Sequence, residues 1–369
     1  MALRLGRGVN GPAPLAVVGI PGNRRLTGFQ EALRRAGLPA AREVSWREVL
    51  GGRAEFAPAE LVRLDSPGED PVVERLLRDT EDPTRVEGSA LWYRRFIDAA
   101  RGLRAQLLDE PSDLAVLFDK RLCHGVLADA GVPVPPAPTS GAAAPVGGWH
   151  DVRELMAEAG LSRVFVKLAH GSSASGVLAI ATAGGGRVRA TTSVRRDAAG
   201  GLFNSLRVAT YTAETEVGAI VDALAPDGLH VERWLPKGTL HGRTADLRVV
   251  VVGGRATHAV VRTSRWPMTN LHLGGARGDF AAARAVLGEH WAQALAICEQ
   301  AAACFPGFSR VGVDLLPAPG WRRFAVGEVN AFGDLLPGLR GFDGGGAESG
   351  DTYDAQVAAL LRTRRAAHA

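Results

Sequence analysis

The chain has 369 residues, of which 46% are hydrophobic and 22% are charged, and its formal net charge is +4. A chain of this length is expected to form two or three domains with buried cores. Basic and acidic residues are interspersed along the chain, which gives no indication of a nucleic-acid partner. The sequence has neither an apolar run of membrane-spanning length nor an apolar signal segment at its start, which predicts a cytoplasmic protein without a membrane partner.

Lysine is scarce in this sequence. Of the 43 residues that are lysine or arginine, only Lys120, Lys167 and Lys237 are lysines, so arginine supplies the ordinary surface charge. A remaining lysine can mark a site that needs a compact ammonium group rather than a planar guanidinium. The alternative is chance survival under an arginine-rich codon bias. The three cysteines are too few and too scattered for a disulfide framework, and we expect all three to be small buried apolar side chains.

The first 110 residues are expected to form an open α/β domain. An apolar strand at 15–20 is followed by a helical pattern that stops at Gly37, and a second strand at 61–64 is followed by a helix at 72–77. Turns that follow strands in an open sheet are the usual ligand edge. The polar residues of the second turn are therefore candidates for substrate contact, with turn and cap roles as the alternative: Asp65, Ser66, Glu69 and Asp70.

The segment 111–235 contains the pattern of a second unit. A helix begins near Lys120 and ends at residues 130–131, and the proline-rich residues 132–136 then enforce an extended chain. Strands at 164–168 and 177–181 flank a loop of glycine and serine, residues 170–176, whose backbone N–H groups could bind phosphate. This Gly/Ser loop lacks the Walker spacing, and a loose hairpin is the alternative. A strand at 185–193, a helix at 214–224 and a strand at 230–235 complete the unit.

The segment 236–369 begins beside Lys237, for which a surface position is favoured over nucleotide contact. A hairpin with a Gly-Gly turn is predicted at 246–263, followed by a polar loop at 267–275. One amphipathic helix is expected to cover 280–304. A second hairpin with a Pro/Gly turn follows at 310–330, and a last helix covers 352–362.

Three oxygen-bearing side chains of the second hairpin could share one face of the sheet. Asp314 lies on the outgoing strand, and Glu328 and Asn330 lie two residues apart on the returning strand. Two carboxylates and an amide oxygen suit Mg²⁺ that bridges nucleotide phosphates. For the hairpin taken alone, an acidic face exposed to solvent is the alternative.

Taken together, these segments resemble the ATP-grasp superfamily, and they look most like the group that contains the ribosomal-protein glutamate ligase and bacterial glutathione synthetase. Seven motifs follow the family's order across residues 119–330. They are Asp119-Lys120 before a helix ending in Gly-Val-Pro-Val-Pro, Val-Phe-Val-Lys167 with the Gly/Ser loop, Glu232-Arg-Trp-Leu, Asp246-Leu-Arg248 with Val-Val-Gly-Gly, Arg262, Asn270-Leu-His-Leu-Gly-Gly, and Asp314 with Glu328-Val-Asn330.

The resemblance implies a fold of α/β and α+β class. An N-terminal open α/β domain on the substrate side, residues 1–110, would precede a two-subdomain ATP-grasp fold. Its small subdomain with the Gly/Ser loop would cover 111–235, and its C-terminal subdomain with the metal site would cover 236–369. After Asn330 the sequence departs from the family, because residues 331–336 come before the expected Pro-Gly pair.

The resemblance also implies three groups of site residues. ATP would be held by two phosphate lysines, the closing Gly/Ser loop, an adenine hinge and a ribose carboxylate: Lys120 and Lys167, then Ser172, Ser173 and Gly176, then Glu232, Arg233, Trp234 and Leu235, and finally Asp246. Two Mg²⁺ ions, replaceable by Mn²⁺, would be bound by Asp314, Glu328 and Asn330. The γ-phosphate and an acyl-phosphate intermediate would be faced by Arg262 and Asn270, with Arg248 nearby.

The implied activity is ATP- and Mg²⁺-dependent ligation of a carboxylate to an amine, forming an amide or peptide bond and releasing ADP and phosphate. Both steps build anionic charge, which arginine and metal ions stabilise without a protein nucleophile. Substrates would be small molecules or peptides, and homo-oligomerisation is compatible with the sequence. Two alternatives are a kinase of the same superfamily that phosphorylates a small-molecule hydroxyl, and a non-catalytic nucleotide-binding accessory protein.

Overall fold

The N-terminal sheet is parallel and has the strand order β2-β1-β3-β4. The computed structural model describes residues 13–368 apart from 81, 83, 143, 172, 173, 333–335 and 337. The strands are β1 (Leu15–Gly19), β2 (Arg42–Ser45), β3 (Leu61–Leu64) and β4 (Gln106–Leu107), and the helices of this part are α1 (Arg24–Arg35), α2 (Trp46–Leu50), α3 (Pro71–Arg78) and α4 (Ser89–Arg101).

The middle sheet is antiparallel and has the order β8-β7-β6-β5-β9. Its strands are β5 (Arg163–Leu168), β6 (Leu178–Ala183), β7 (Arg187–Arg196), β8 (Leu202–Tyr211) and β9 (Leu229–Arg233). The accompanying helices are α5 (Pro111–Leu117), α6 (Lys120–Asp129), α7 (Trp149–Glu158) and α8 (Glu214–Leu224). Alternate residues of β5, Val164 and Val166, are buried in one core with Val217 and Val221 of α8.

The C-terminal sheet is antiparallel, with the order β13-β12-β11-β14-β15 and a short β10 paired to β11. Its strands are β10 (Thr239–Leu240), β11 (Arg243–Val252), β12 (Arg255–Ser264), β13 (Ala276–Arg277), β14 (Arg310–Pro317) and β15 (Phe324–Asn330). The helices are α9 (Phe280–Leu287), α10 (Trp291–Ala303) and α11 (Thr352–His368).

A buried ion network joins the N-terminal sheet to the C-terminal sheet. Arg310, the first residue of β14, donates to the Asp109 carboxylate at 2.6 Å and to the Leu64 carbonyl at the end of β3. The other Asp109 oxygen accepts from the Leu64 N–H at 2.7 Å. Asp109 is fully buried and Arg310 is 4% exposed. Helix α11 also packs its Tyr353 against α1, which adds an apolar contact between the N-terminal and C-terminal parts of the described residues.

The three sheets fall one in each predicted segment, and the domain boundaries stay a prediction. Both predicted hairpins of the C-terminal sheet are confirmed, as is helix α8. The single helix expected at 280–304 is wrong. It is broken into α9 and α10 at Gly288, whose φ of 49° and ψ of −123° cannot continue an α-helix.

Some elements were missing from the sequence prediction. Strands β2 and β8 and helix α7 were not predicted, and α11 runs past residue 362. Strand β8 is an edge strand whose Leu206 is 79% exposed, so it lacks the apolar alternation that marks a half-buried strand. Two cysteines are buried as expected, whereas Cys304 is only partly buried. Among the helices of the described residues, none is both long and apolar enough to cross a membrane.

We expect Asp109→Asn to lower the free energy of unfolding by about 3–5 kcal/mol, because Arg310 would stay buried without a charged partner. Urea denaturation measures this change. As a control, Arg35→Met removes an ion-pairing arginine that is 39% exposed, and should cost under about 1 kcal/mol. Equal effects of the two substitutions would contradict the role given to the buried network.

Candidate nucleotide-binding site

A narrow cleft lies between the middle sheet and the C-terminal sheet. Helices α5 and α6 and strand β15 supply its apolar wall. Two lysines and two glutamates also line this space, which we call the lysine cleft: Lys120, Lys167, Glu232 and Glu328. Apolar walls with a few charged groups are typical of ligand sites.

Lys120 is placed by the start of α6. The Asp119 carboxylate caps this helix by accepting from the N–H groups of Arg121 and Leu122. The Lys120 ammonium then donates to the Gly171 carbonyl at 2.6 Å and pairs with a Glu328 oxygen at 2.9 Å. It therefore connects the Gly/Ser loop to strand β15.

Lys167 is paired with Glu232 of the neighbouring strand β9, and Glu232 is in turn contacted by His230 of the same strand. Its ammonium lies 2.5 Å from a Glu232 oxygen, and the other Glu232 oxygen lies 3.3 Å from His230 Nε2. Burial favours the neutral carboxyl, but the charge of Lys167 and the His230 hydrogen bond outweigh it and lower the pKa of Glu232 to about 2. Glu232 thus anchors Lys167, and both the predicted phosphate contact of Lys167 and the predicted adenine contact of Glu232 stay predictions.

The other three residues of the predicted adenine hinge follow Glu232 at the edge of the middle sheet. The Arg233 N–H donates to the Pro136 carbonyl at 2.7 Å, and the Trp234 N–H donates to the Arg163 carbonyl at 3.1 Å. The Trp234 ring packs on Phe165 with a centroid distance of 5.6 Å, while Leu235 is half-buried. Backbone hydrogen bonds and ring packing therefore hold this segment against the middle sheet.

The three predicted metal ligands lie on one face of the β14–β15 hairpin. Asp314 is directly opposite Glu328 in the antiparallel register, and Asn330 is two residues further along β15. A β-bulge follows at Asp314, and bulges are frequent beside functional sites. Asp314 is 9% exposed, so the alternative of a solvent-exposed acidic face does not describe it.

The donor set of this face suits a hard cation such as Mg²⁺, which binds through few carboxylates and keeps other positions for phosphate and water. Within the described residues, no group of three or more His, Cys, Asp or Glu side chains could hold a metal by itself. Two carboxylates and an amide supply only part of a coordination shell. The set therefore fits an ion that is shared with a bound phosphate.

Beside the hairpin, on the same face of the sheet, lies an arginine cluster, which comprises Asp246, Arg248, Arg262, Asp314, Lys237 and Thr269. Strand pairing places Asp246 opposite Arg262 and Arg248 opposite Asp314. Arg262 Nε donates to Asp246 at 2.8 Å, and its terminal nitrogen lies 3.1 Å from Asp314. Arg248 also binds Asp314 through two nitrogens. Burial alone would favour neutral forms, but these pairings hold the pKa of Asp246 well below its usual range and raise the pKa of Arg262.

Lys237 belongs to this cluster, so the expectation of a surface position is wrong. Its side chain is 7% exposed, and its ammonium lies 3.3 Å from Asp246 and 3.1 Å from the Thr269 hydroxyl. Its neighbour Gly238 donates to the Pro317 carbonyl at 2.7 Å and packs beneath Trp321, which turns the segment inward. Burial, followed by the nearby charge of Arg262, lowers the pKa of Lys237 despite the attraction of Asp246.

The Thr269 loop, residues 267–275, is fixed to the arginine cluster at Thr269, whose hydroxyl donates to Asp246. The Asn270 carbonyl accepts from the N–H groups of Leu273 and Gly275, which closes the loop next to that anchor. Gly176 has a φ of 67° and packs against Leu168, so a side chain there would collide with the sheet. Ser172 and Ser173 lie outside the described residues.

Two candidates in the N-terminal turn have structural roles. Asp65 forms a buried ion pair with Arg63 at 2.8 Å, and Asp70 caps α3 and binds Arg47. Sequence reasoning also missed two residues of the site. His230 could have been found from its spacing, because residues two apart on a strand share a face with Glu232. Nothing in the sequence distinguished Thr269.

Comparison with solved structures identifies the class of fold. The D-cycloserine synthetase DcsG is 16% identical, with a TM-score of 0.57, and the match covers 95% of this chain and 99% of that chain. N5-carboxyaminoimidazole ribonucleotide synthetase from Thermus thermophilus is also 16% identical, with a TM-score of 0.55 and coverage of 94% and 78%. The predicted fold class is confirmed.

A further match is the ATP-grasp ligase PsnB complexed with minimal precursor, Mg and ADP. It is 15% identical, with a TM-score of 0.52, and the match covers 97% of this chain and 100% of that chain. The chain therefore has the fold of the ATP-grasp ligases. No protein-family model and no curated protein matches the sequence.

The lowered pKa of Glu232 predicts a pH-dependent stability. Its folded-state value of about 2 lies below the usual 4.5, so ionised Glu232 stabilises the fold above about pH 4.5, and this contribution is lost as the pH falls towards 2. We expect the difference in unfolding free energy between the wild type and Glu232→Gln to shrink over this range in urea denaturation series. Glu289→Gln, which changes a 90% exposed side chain, should show no such trend. A difference for Glu232→Gln that stays constant with pH would contradict the ion pair.

Proposed function

We propose that this protein is an ATP- and Mg²⁺-dependent carboxylate-amine ligase that forms an amide or peptide bond through an acyl phosphate and releases ADP and phosphate. The observation that carries the proposal is the set of nine charged side chains formed by the lysine cleft and the arginine cluster, which meet where Asp314 lies opposite Glu328. Five are cations and four are carboxylates: Lys120, Lys167, Lys237, Arg248 and Arg262 with Glu232, Asp246, Asp314 and Glu328. Eight of the nine, all except Lys237, are residues that the sequence motifs predicted for nucleotide, metal or acyl-phosphate contact.

The charges of the cleft suit a metal-bound triphosphate. Each carboxylate proposed to bind Mg²⁺ is paired with a cation proposed to bind phosphate, since Glu328 binds Lys120, and Asp314 binds Arg248 and Arg262. A ligand that brings both metal and phosphate can offer each group a new partner of opposite charge. Binding then exchanges ion pairs without leaving a buried charge alone.

The chemistry follows from the charge that each step creates. A carboxylate is a poor electrophile, so the γ-phosphoryl group of ATP is transferred to its oxygen. An amine nitrogen then bonds to the carbonyl carbon as the C–O bond to phosphate breaks, and the amine loses a proton. Lys120 and Lys167 would neutralise phosphate oxygens, and Arg262 with Asn270 would stabilise the transferring group. Mg²⁺, when bound by Asp314, Glu328 and Asn330, supplies further neutralisation of phosphate charge.

The substrates we propose are a small-molecule or peptide carboxylate and amine. Support comes from the range of the structural neighbours, which includes a D-cycloserine synthetase and a PsnB ligase complexed with its precursor. We also propose that the chain is most akin to the glutamate ligase and glutathione synthetase group, acts in the cytoplasm and uses neither nucleic acid nor a membrane as partner.

A substrate screen tests this function. Purified protein with Mg·ATP is incubated with amino acids and short peptides, ADP release is followed, and the product mass is measured. We expect a product equal to acid plus amine minus water. We also expect Asp314→Asn and Glu328→Gln each to lower turnover by about 100-fold or more. Mutation of a residue that only hydrogen-bonds to a metal ligand already lowers metal affinity or activity by about 10–100-fold, and loss of a ligand itself should cost at least as much.

Glu289→Gln is the matched control for Glu328→Gln, because it makes the same change at an exposed position. Its turnover should equal that of the wild type. A product that carries an added phosphate mass would assign the protein to the kinases instead. Nucleotide binding without ADP release for any substrate pair would favour an accessory binding protein.

A further inference from the structure

The three lysines of the chain all lie in the candidate site. Lys120 pairs with Glu328, Lys167 with Glu232 and Lys237 with Asp246, and no side chain of the three is more than 14% exposed. Arginine occupies the other 40 of the 43 basic positions. The alternative given above, an arginine-rich codon bias, would not by itself bring every remaining lysine to the same candidate site. Two of them match the sequence motifs for phosphate binding, which leaves Lys237 without an assigned role.

The backbone next to Lys237 is held by hydrogen bonds and by close packing. The Gly238 N–H donates to the Pro317 carbonyl at 2.7 Å, and the Gly238 carbonyl accepts from the Ala245 N–H at 2.9 Å. A Cβ at Gly238 would lie 2.5 Å from Trp321 Nε1, so only glycine allows this approach. Hydrogen bonds and packing thus hold the backbone beside Lys237 and direct its side chain inward.

The contacts of Lys237 connect the two residues proposed to face the γ-phosphate. Its ammonium lies 3.3 Å from Asp246, whose other oxygen binds Arg262. It also lies 3.1 Å from the hydroxyl of Thr269, the residue before Asn270. An ammonium has three N–H donors, and the described residues account for two of them. The third N–H lies in a side chain that is only 7% exposed, so leaving it without an acceptor would be costly, and an oxygen of a bound ligand would satisfy it.

The charge of the site points to an anionic ligand at this position. Five cations face four carboxylates, which leaves one positive charge in excess, and Lys237 is the cation that the sequence motifs do not account for. Arg262 already binds one oxygen of Asp246. An arginine at position 237 would have to fit a second guanidinium next to it. A compact ammonium fits between Asp246 and Thr269 and still presents a donor.

We propose that Lys237 is a third phosphate-binding lysine of the site and contacts the terminal phosphoryl group of the bound nucleotide. The proposal rests on the proposed function, because it requires a nucleoside triphosphate in the cleft. It goes beyond that function by adding a contact that is made only to the γ-phosphate.

Binding of Mg·ADP and of the non-hydrolysable triphosphate Mg·AMPPNP, measured by isothermal titration calorimetry, tests this contact without knowledge of the substrates. In Lys237→Met we expect affinity for Mg·AMPPNP to fall by about 10- to 100-fold, as for the loss of a hydrogen bond to a charged group. Affinity for Mg·ADP should stay within about threefold, since it has no γ-phosphate. Arg322→Met, which removes an exposed cation from the β14–β15 turn, is the control and should change neither value.

The outcomes separate this inference from the proposed function. If the wild type binds neither nucleotide, the proposed function fails. If it binds both and Lys237→Met changes neither affinity, or weakens both equally, the assignment of Lys237 is overturned and the proposed function stands. Thermal denaturation shows whether the variant is folded, and Lys237→Gln, which keeps a donor near Thr269, takes its place in the same titrations if it is not.

Discussion

Pairing between buried opposite charges is the interaction on which the arrangement of this molecule depends. Asp314 of β14 illustrates it, because its carboxylate is bound by Arg248 of the adjacent strand β11 and by Arg262 of β12, the next strand of the same sheet. Either kind of charge, buried alone, would be costly. These pairings give each of the nine charged side chains of the lysine cleft and the arginine cluster a partner of opposite charge.

The same principle fixes the N-terminal sheet to the C-terminal sheet at a distance from the cleft. Arg310 begins β14, four residues before Asp314, and binds Asp109 and Leu64 of the N-terminal part. The strand that carries a proposed metal ligand is therefore anchored at its first residue to the domain proposed to select the substrate. Phe332, two residues after Asn330, packs against Phe96 and Phe118. The chain after β15 is therefore also in contact with α4 and with the residue that follows α5.

The two lysines proposed to bind phosphate are held by carboxylates of different sheets. Lys120 at the start of α6 pairs with Glu328 of β15, in the C-terminal sheet. Lys167 of β5 pairs with Glu232 of β9, within the middle sheet. The Lys120 ammonium is therefore both a proposed phosphate ligand and an ionic contact between the middle part of the chain and the C-terminal sheet.

Motif order in the sequence determined the fold class and most of the charged residues of the site, because each motif combines a local pattern with a chemically demanding residue. The Asp314, Glu328 and Asn330 set followed from strand alternation and a short turn, which are local properties. The sequence alone left β8 and the break at Gly288 unseen, since an edge strand has no clear alternation and a glycine inside an apolar run still suits a helix.

Only the tertiary structure decided which charge pairs with which. Glu232 is predicted at adenine, and only the pairing of β5 with β9 shows that its carboxylate also binds Lys167. Lys237 was expected at the surface, but packing of Gly238 beneath Trp321, which is distant in the sequence, turns it inward. An isolated lysine or glutamate carries no mark of such remote partners. The chain thus specified its site residues locally, while the fold assigned their partners through long-range packing.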